Sequence, residues 1–583
     1  MIDRVATTPA WPGPGELRVG LGCMRLSTDA ERDDDLALAT ISAAAAAGIT
    51  VFDTARAYGR GPDDLGHNER LLARALRASG ATGRARIVTK GGMSRPGGAW
   101  APDGRAKAIR IDCEASLEAL DGLPIDLYLL HAPDPRTPWR TSVRALARLV
   151  DDGLVARVGL ANVNRGQLDE ALELAPIAAV QMRLSVFEDT ALRGGVAERC
   201  AEAGLALIAH SPLGGPRRSP VLARRPELRE LAAARDATPA EIALAWVLGL
   251  GPNVIAIPGA RRPATALSAA RAATLELSGY EHERAVPQTR GRSATTGGAE
   301  VVLVMGIPGA GKSHAAEEYV GRGHVRLNRD ERGGTLRGLA DELRAALASG
   351  ARRIVLDNTY ATRASRSHVL EAAAHHSAGV RCVWLDTPLA QAQVNIVERL
   401  LERFGSLPTP EELKAAARNE GGVMAPTSQM RFLRELEPPT EDEGFVSIER
   451  VLFTRDARPG RAGVLVAASA LHAEGWREAV RTVDPSAPHL LFDWLPDGSP
   501  AALDTAAVAL SSVVSGSVDP AVCTHGAGPP VCWCRPPLPG LPLAFARAHG
   551  VDPARAALVG TSSAHRTLAS TLGARFVRVG SPP

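Results

Sequence analysis

The sequence predicts an α/β fold class throughout: a (β/α)₈ TIM barrel, then a doubly wound α/β unit around a phosphate-binding loop, then a third α/β unit. Three observations carry this. Between residue 17 and about 262, eight short apolar segments (LRVGLG, TVFDTA, ARIVTKG, IDLYLLHA, ARVGLAN, AAVQMRL, LALIAHSP, NVIAIPGA) alternate with helical stretches. Each is nearly continuously apolar, as parallel strands covered on both faces are, and eight such units in about 250 residues is the barrel count. The second observation is VVLVMGIPGAGKSHAAEEYV, Val301–Val320, an apolar run feeding a glycine turn and a helix. The third is the alternation from GVLVAASALH to AALVGTSSAHRTLASTLGARFVRVG near the C-terminus. The expected boundaries are 1–282 for the barrel, 283–298 (polar and turn-rich) for a linker, 299–455 for the phosphate-loop unit and 456–583 for the last unit.

At 583 residues the chain exceeds what one core organises, given about 150 residues per domain. Its 45% hydrophobic and 22% charged content is that of a globular protein, and a net charge of +3 selects neither for nor against nucleic acid. The first residues lack a signal-peptide apolar core and no apolar run reaches transmembrane length, so no membrane partner is expected and the cytoplasm is the expected compartment. Cys23, Cys113, Cys200 and Cys382 are scattered while Cys523, Cys532 and Cys534 cluster. This suits a reducing compartment with one metal site.

In the barrel, polar residues fall at the C-terminal ends of the strands: Asp53, Lys90, His131, Asn162, Gln181 and Ser211. Those ends form the active face of a barrel. Tyr58 follows Asp53 by five residues. Hydride addition to a carbonyl leaves an alkoxide that needs a proton, and a phenol of pKa about 10 is a sluggish donor. A lysine beside it lowers that pKa, a carboxylate holds the lysine, and a histidine orients the carbonyl oxygen. Asp53, Tyr58, Lys90 and His131 meet this need together. With FDTARAYG, VTKG and LYLLHA, residues of about 15–280 resemble the aldo-keto reductase family, whose tetrad is complete here. The resemblance implies NADPH as cofactor and a carbonyl-bearing small molecule or aldehyde-bearing substrate. It places Asn162 and Gln181 at the nicotinamide amide, and Ser211 and Leu213 (HSPLGG) near the pyrophosphate. His210 stands where the family carries an aromatic that stacks on the nicotinamide. IPGARRP, with Pro258, Gly259, Arg261 and Arg262, matches the family's phosphate loop, and either arginine is positioned for a 2′-phosphate.

In the second unit, Gly306 through Gly309 and Gly311 to Lys312 and Ser313 complete G-x-x-x-x-G-K-[ST] in its strand–loop–helix setting. Backbone N–H groups there converge on phosphate oxygens, Lys312 neutralises the β/γ-phosphates and Ser313 ligates Mg²⁺, so ATP with Mg²⁺ is expected. LNRDERGG supplies Asp330, VLDNTYATRASR supplies Asp357, Asn358 and Thr359, and VNIVERLLERFG supplies Arg399. This ordered set resembles the polynucleotide 5′-kinase family over about 299–455. The resemblance implies Asp330 as general base toward a 5′-hydroxyl, Arg399 as the cation over the transferred phosphoryl, Asp357 as support for Mg²⁺ or acceptor, and DNA or RNA 5′-hydroxyl ends as partners. The arginines Arg326, Arg329, Arg332, Arg337, Arg363 and Arg366 are either phosphate contacts or solvated charges.

The last unit resembles haloacid-dehalogenase phosphatases, a Rossmann-like α/β fold, closest to those with a C-x-H…C-x-C loop. The resemblance implies a structural Zn²⁺ on Cys523, His525, Cys532 and Cys534, a donor set suited to a closed tetrahedral site. It also implies lost catalysis: Ala467 and Ser469 occupy the acid positions, Arg535-Pro536-Pro537 lacks the lysine, and Thr561 and His565 replace the metal-binding acids, so no carboxylate is expected there. The whole is expected to be a fusion of an NADPH-dependent reductase, an ATP-dependent kinase of nucleic-acid ends and a pseudo-phosphatase, serving end repair. The alternatives are a metabolic enzyme that reduces and phosphorylates one small sugar or polyol, and a kinase regulated by a cofactor-sensing barrel.

Overall fold

The computed structural model describes residues 11–285, 298–419, 421–455, 459–496, 498–526, 528 and 530–580. The chain divides into two compact units on either side of residue 290. Most of the expected linker, residues 286–297, lies outside the described residues. Its first part does not: Glu283, Arg284 and Ala285 complete a helix, Gly279–Ala285.

The first unit is a barrel. Its strands are β1 (Leu21–Gly22), β2 (Val51–Asp53) and β3 (Arg86–Gly91), a hairpin β4 (Met93–Ser94) with β5 (Ala101–Pro102), and then β6 (Leu127–Leu130), β7 (Val158–Ala161), β8 (Ile177–Arg183), β9 (Ala206–His210) and β10 (Val254–Ile257). All but the hairpin pair in one parallel eight-stranded sheet in sequence order. Parallel bridges Val19–Ala256 and Gly22–Gly259 join its first and last strands. The eight expected strands are all present, seven of them shorter than their apolar runs and β8 of equal length but shifted by one residue. Side chains alternate along a strand, so Val51 and Asp53, Val88 and Lys90, and Leu127, Leu129 and His131 point the same way. Val51, Val88, Leu127, Leu129, Ala179 and Ile208 belong to one buried apolar cluster that fills the barrel. Asp53, Lys90 and His131 crown that plug at its carboxyl end. The outer helices cover the sheet through apolar stripes, as Val143, Leu146 and Leu149 do on the helix Trp139–Asp151.

The second unit contains two five-stranded parallel sheets. The first comprises β11 (Glu300–Met305), β12 (Val325–Leu327), β13 (Arg353–Asp357), β14 (Gly379–Asp386) and β15 (Ser447–Leu452), in the order β12-β13-β11-β14-β15. The glycine loop springs from the central strand β11. The second comprises β16 (Val464–Ala467), β17 (His489–Trp494), β18 (Val518–Cys523), β19 (Ala557–Gly560) and β20 (Arg575–Arg578), in the order β18-β17-β16-β19-β20. The helix Leu389–Phe404 contributes Val394, Val397, Leu400 and Leu401 to one buried cluster with Leu465, Phe492, Trp533 and Leu543 of the second sheet's region. Trp533 donates its indole N–H to the Met424 carbonyl at 2.9 Å across the same seam. Among the described residues, no helix is long and apolar enough to cross a membrane.

Candidate active sites

At the barrel mouth, the buried ammonium of Lys90 donates to both Asp53 carboxylate oxygens at 2.7 Å, to the Thr54 carbonyl at 2.9 Å and to the Tyr58 hydroxyl at 3.1 Å. Burial is the main influence on Tyr58 and holds its phenol well above the usual 10, with the Asp53 charge acting the same way. The lowering expected from Lys90 is therefore outweighed, because burial lowers the lysine's own pKa too, against the pull of Asp53. His131 lies edge-on to Tyr58, ring centroids 5.7 Å apart, with no hydrogen-bond partner at its buried Nδ1. Burial, then Lys90, pushes its pKa well below the ordinary value, so it is a neutral imidazole.

A cavity of about 210 Å³ opens beside the tetrad, lined among others by Asp53, Tyr58, His131, Asn162, Gln181, His210, Ser211, Leu213, Pro258 and Gly259. Asn162 and Ser211 hold the left-handed backbone (φ +58° and +52°). Such conformations in residues other than glycine concentrate at functional sites. Asn162 donates to the His131 carbonyl at 3.1 Å, and its Oδ1 faces His210 Nε2 at 3.2 Å. Burial lowers the pKa of His210 to about 4, helped by Arg183 and Lys90. Gln181 lines the cavity with Asn162, and its amide nitrogen also donates to Asp53 at 2.7 Å, which ties it to the tetrad itself. Arg261 and Arg262 do not line this cavity. Arg261 instead pairs with Asp29 at 2.8 Å.

In the second unit a pocket of about 930 Å³ is lined by Gly309, Gly311, Lys312, Ser313, Asp330, Asp357, Asn358, Thr359 and Arg399, with Val423, Met424 and Phe432 supplying apolar surface. Gly306, Gly309 and Gly311 have φ of +156°, +88° and +95°. A Cβ on Gly309 would sit 2.3 Å from the Ala392 carbonyl oxygen, so only glycine fits. Lys312 donates to the Gly306 and Ile307 carbonyls at 3.0 Å each. Burial lowers its pKa to about 8, against the pull of Asp357. Arg399 donates to the Gly422 carbonyl at 2.9 Å, and the Asp330 charge acts on it. Asp330 thus lies on the pocket wall across from Arg399, at the start of a short helix capped by Asn328. Asp357 is less free than expected, since its buried carboxylate accepts from Arg326 Nε at 2.9 Å and Nη2 at 2.6 Å.

Three residues that the motifs did not single out brace the glycine loop. Asn395 donates to the Gly309 carbonyl at 2.8 Å, Gln429 to Pro308 at 3.0 Å and Thr387 to Ala310 at 3.1 Å. Several arginines of this unit are occupied internally. Arg366 is fully buried against Glu443, and Arg363 and Arg332 pair with Asp442 and Glu342.

In the last sheet, Cys523, His525, Cys532 and Cys534 bring their ligand atoms within 4.8 Å of one another. The sulfur separations are 3.7 Å (Cys523–Cys532) and 3.4 Å (Cys523–Cys534), with His525 Nδ1 at 3.5 and 3.3 Å from Cys523 and Cys534. A tetrahedron of thiolates about 2.3 Å from zinc has edges of roughly 3.8 Å, so the donor set fits that ion closely. At the carboxyl end of β16, Ala467 is buried and the hydroxyls of Ser469 and Thr561 meet at 3.1 Å. His565 accepts from the Thr561 and Ser562 backbone at 3.2 and 3.3 Å, and Arg535 stacks 3.7 Å over the Trp494 ring. One carboxylate does stand nearby: Asp493, on β17, acts electrostatically on His565. Asp493 lies outside the positions named for the lost acids, which carry Ala467, Ser469, Thr561 and His565.

A parallel eight-stranded barrel carrying an aspartate–lysine–tyrosine relay and a neutral histidine at its carboxyl mouth defines a carbonyl oxidoreductase. The family model and the sequence relatives agree with this class. The aldo/keto reductase family model matches residues 18–286, and an AAA domain model matches residues 301–420. Aldo-keto reductase str7 of Strobilurus tenacellus is 31% identical over 260 residues, spanning 39% of this chain and 74% of the relative. A probable aldo-keto reductase 1 of Glycine max is 31% identical over 275 residues, 42% of this chain and 76% of that one. A crystal structure of an aldo/keto reductase from Klebsiella pneumoniae in complex with NADP and acetate is 27% identical, covering 46% of this chain and 91% of that one, with a TM-score of 0.40. The chain belongs to the aldo/keto reductase family, and joins that barrel to a P-loop domain.

Proposed function

We propose that this chain is a two-centre enzyme: an NADPH-dependent reductase of small carbonyl compounds joined to an ATP-dependent phosphotransferase. The reductase reading rests on the contact of Lys90 with both Asp53 and Tyr58 at the mouth of a cavity. Asn162, Ser211, Leu213 and the Pro258–Gly259 turn would hold the cofactor along that cavity, with Arg262 at the 2′-phosphate. When bound, NADPH supplies the hydride. The neutral His131 orients the carbonyl oxygen and Tyr58, which is protonated throughout the neutral range, delivers the proton. One hydride and one proton convert aldehyde to alcohol. Lys90 donates to the phenolate as it forms, and Asp53, held by Gln181, keeps Lys90 charged. Steady-state NADPH oxidation with an aldehyde panel tests the reading; activity retained in Tyr58→Phe would count against it.

In the P-loop domain, Lys312 and the loop amides would bind the ATP phosphates and Ser313 would hold Mg²⁺. Asp330 would take the proton of the attacking hydroxyl, with Arg399 facing the transferred phosphoryl. The acceptor is a 5′-hydroxyl nucleic-acid end on the likeness of LNRD and VLDNT to polynucleotide kinases. The internal pairing of Arg326, Arg332, Arg363 and Arg366 favours a second reading, a small polyol or sugar acceptor, because those charges are already neutralised. Transfer of labelled γ-phosphate to 5′-hydroxyl oligonucleotides or to polyols, with Lys312→Ala as control, separates the two. The last sheet is read as a haloacid-dehalogenase-like domain without catalysis, its loop held by a structural Zn²⁺.

A further inference from the structure

Beyond the tetrad, the barrel mouth contains a charge that the reduction itself does not use. The hairpin β4–β5 rises from the end of β3, and Arg95, directly after β4, is only 8% exposed. Its Nε donates to the Gly98 carbonyl at 3.0 Å and its Nη1 to the Ala57 carbonyl at 3.4 Å, and the guanidinium lies 3.9 Å over the Trp100 ring. No carboxylate pairs with it among the described residues. Removing a cation from water without an anion costs several kcal/mol, more than backbone carbonyls and one cation–π contact of about 1–2 kcal/mol return. Arg95 lines a second cavity, of about 440 Å³, together with Met24, Thr28, Met93, Trp100, His131 and Asn162. This cavity meets the first at His131 and Asn162, where the carbonyl is reduced. Arg95 is its one ionised lining residue, since His131 is neutral.

From the burial of Arg95 without a counter-charge beside His131, we infer that the carbonyl substrate carries an anionic group, a carboxylate or a phosphate, which Arg95 binds while Trp100 covers the chain between the two ends. The inference rests on the reductase reading and names its substrate class. A guanidinium matches either oxyanion through paired N–H donors.

The test compares matched aldehydes with NADPH: succinic semialdehyde against butanal, and glyceraldehyde 3-phosphate against glyceraldehyde. The wild-type chain is expected to prefer at least one anionic member by about tenfold or more in kcat/KM, as hydrogen bonds to charged groups allow. Arg95→Met is expected to erase that preference through KM, leaving the neutral members unchanged, and Arg95→Lys to restore part of it. Preference in the first pair alone identifies a carboxylate, in the second alone a phosphate. Equal use of charged and neutral members, or equal losses on both in Arg95→Met, overturns the inference while the reductase reading stands. If no aldehyde is reduced, the reductase reading falls. Calorimetric titration of the wild-type and Arg95→Met chains with succinate and with inorganic phosphate then tests the anchor alone. Binding of either anion that Arg95→Met loses supports it, and binding of neither, or binding unchanged in the variant, overturns it.

Discussion

Gln181 donates its amide to Asp53 Oδ2 at 2.7 Å, the same carboxylate that holds Lys90. The pair lies 128 residues apart in sequence and is brought together by barrel closure. The carboxylate is thereby fixed from two sides, and the lysine it holds faces Tyr58 in one orientation.

Gln181→Met should therefore lower kcat for aldehyde reduction by about tenfold, the worth of one hydrogen bond to a charged group, with a smaller change in KM. Steady-state kinetics on purified protein checks this. A kcat within twofold of wild type would mean that Asp53 needs no second anchor.

Glu69 is fully buried in the barrel, where Thr89 donates to it at 2.5 Å. Burial raises its pKa to about 7 from 4.5. The folded state holds the proton more tightly, so this group's contribution to stability is full below pH 4.5, declines between 4.5 and 7, and is flat above 7. Glu69→Gln should gain on wild type by up to about 3 kcal/mol over that window. Denaturant melts of both proteins at pH 4.5 and 7.5 read the difference, and a gap that does not change with pH refutes the assignment.

On the proposed reading Lys312 meets phosphate as an ammonium, and burial lowers its pKa to about 8 in the unliganded chain, so the charge available for binding declines as pH rises through that value. Affinity for an ATP analogue should be constant near pH 7 and fall by up to tenfold per unit above 8. In Lys312→Met it should be weak and level across the range. A flat wild-type profile to pH 9.5 would remove Lys312 from phosphate binding.

The Cys523, His525, Cys532 and Cys534 cluster should hold about one zinc per chain. Cys532→Ser, at a buried position of that cluster, should reduce the metal content well below that and lower the melting temperature of the second unit. Metal analysis with calorimetry decides the matter. A metal-free chain melting as wild type would leave four reduced side chains and no site.

The fold was legible because it follows from local periodicity, and three of the four tetrad residues fall at strand ends, while Tyr58, in the turn after β2, was marked by its motif alone. Alternation along β2, β3 and β6 places Asp53, Lys90 and His131 on one face, and the glycine signature is contiguous from Gly306 to Ser313. What escaped is long-range. Asn395 and Gln429 reach the glycine loop across 86 and 121 residues, and nothing in their own neighbourhoods marks them. The Arg326–Asp357 pair was hidden for the same reason: a strand-end carboxylate reads as a ligand until its partner is known. Arg95 sits in a hairpin insertion with no periodic signal, and only its burial marks it.

The helix Leu389–Phe404 has two employers. Asn395 and Arg399 serve the glycine loop and its pocket, while Val394, Val397, Leu400 and Leu401 are packed into the core shared with the last sheet. Burying each such side chain contributes about 1.5–3 kcal/mol. The final 120 or so residues thus buttress the glycine loop and its pocket. A shortened chain ending near residue 455 would present a bare aliphatic stripe to water, and its failure to transfer phosphate would report a collapsed scaffold instead of a missing reaction.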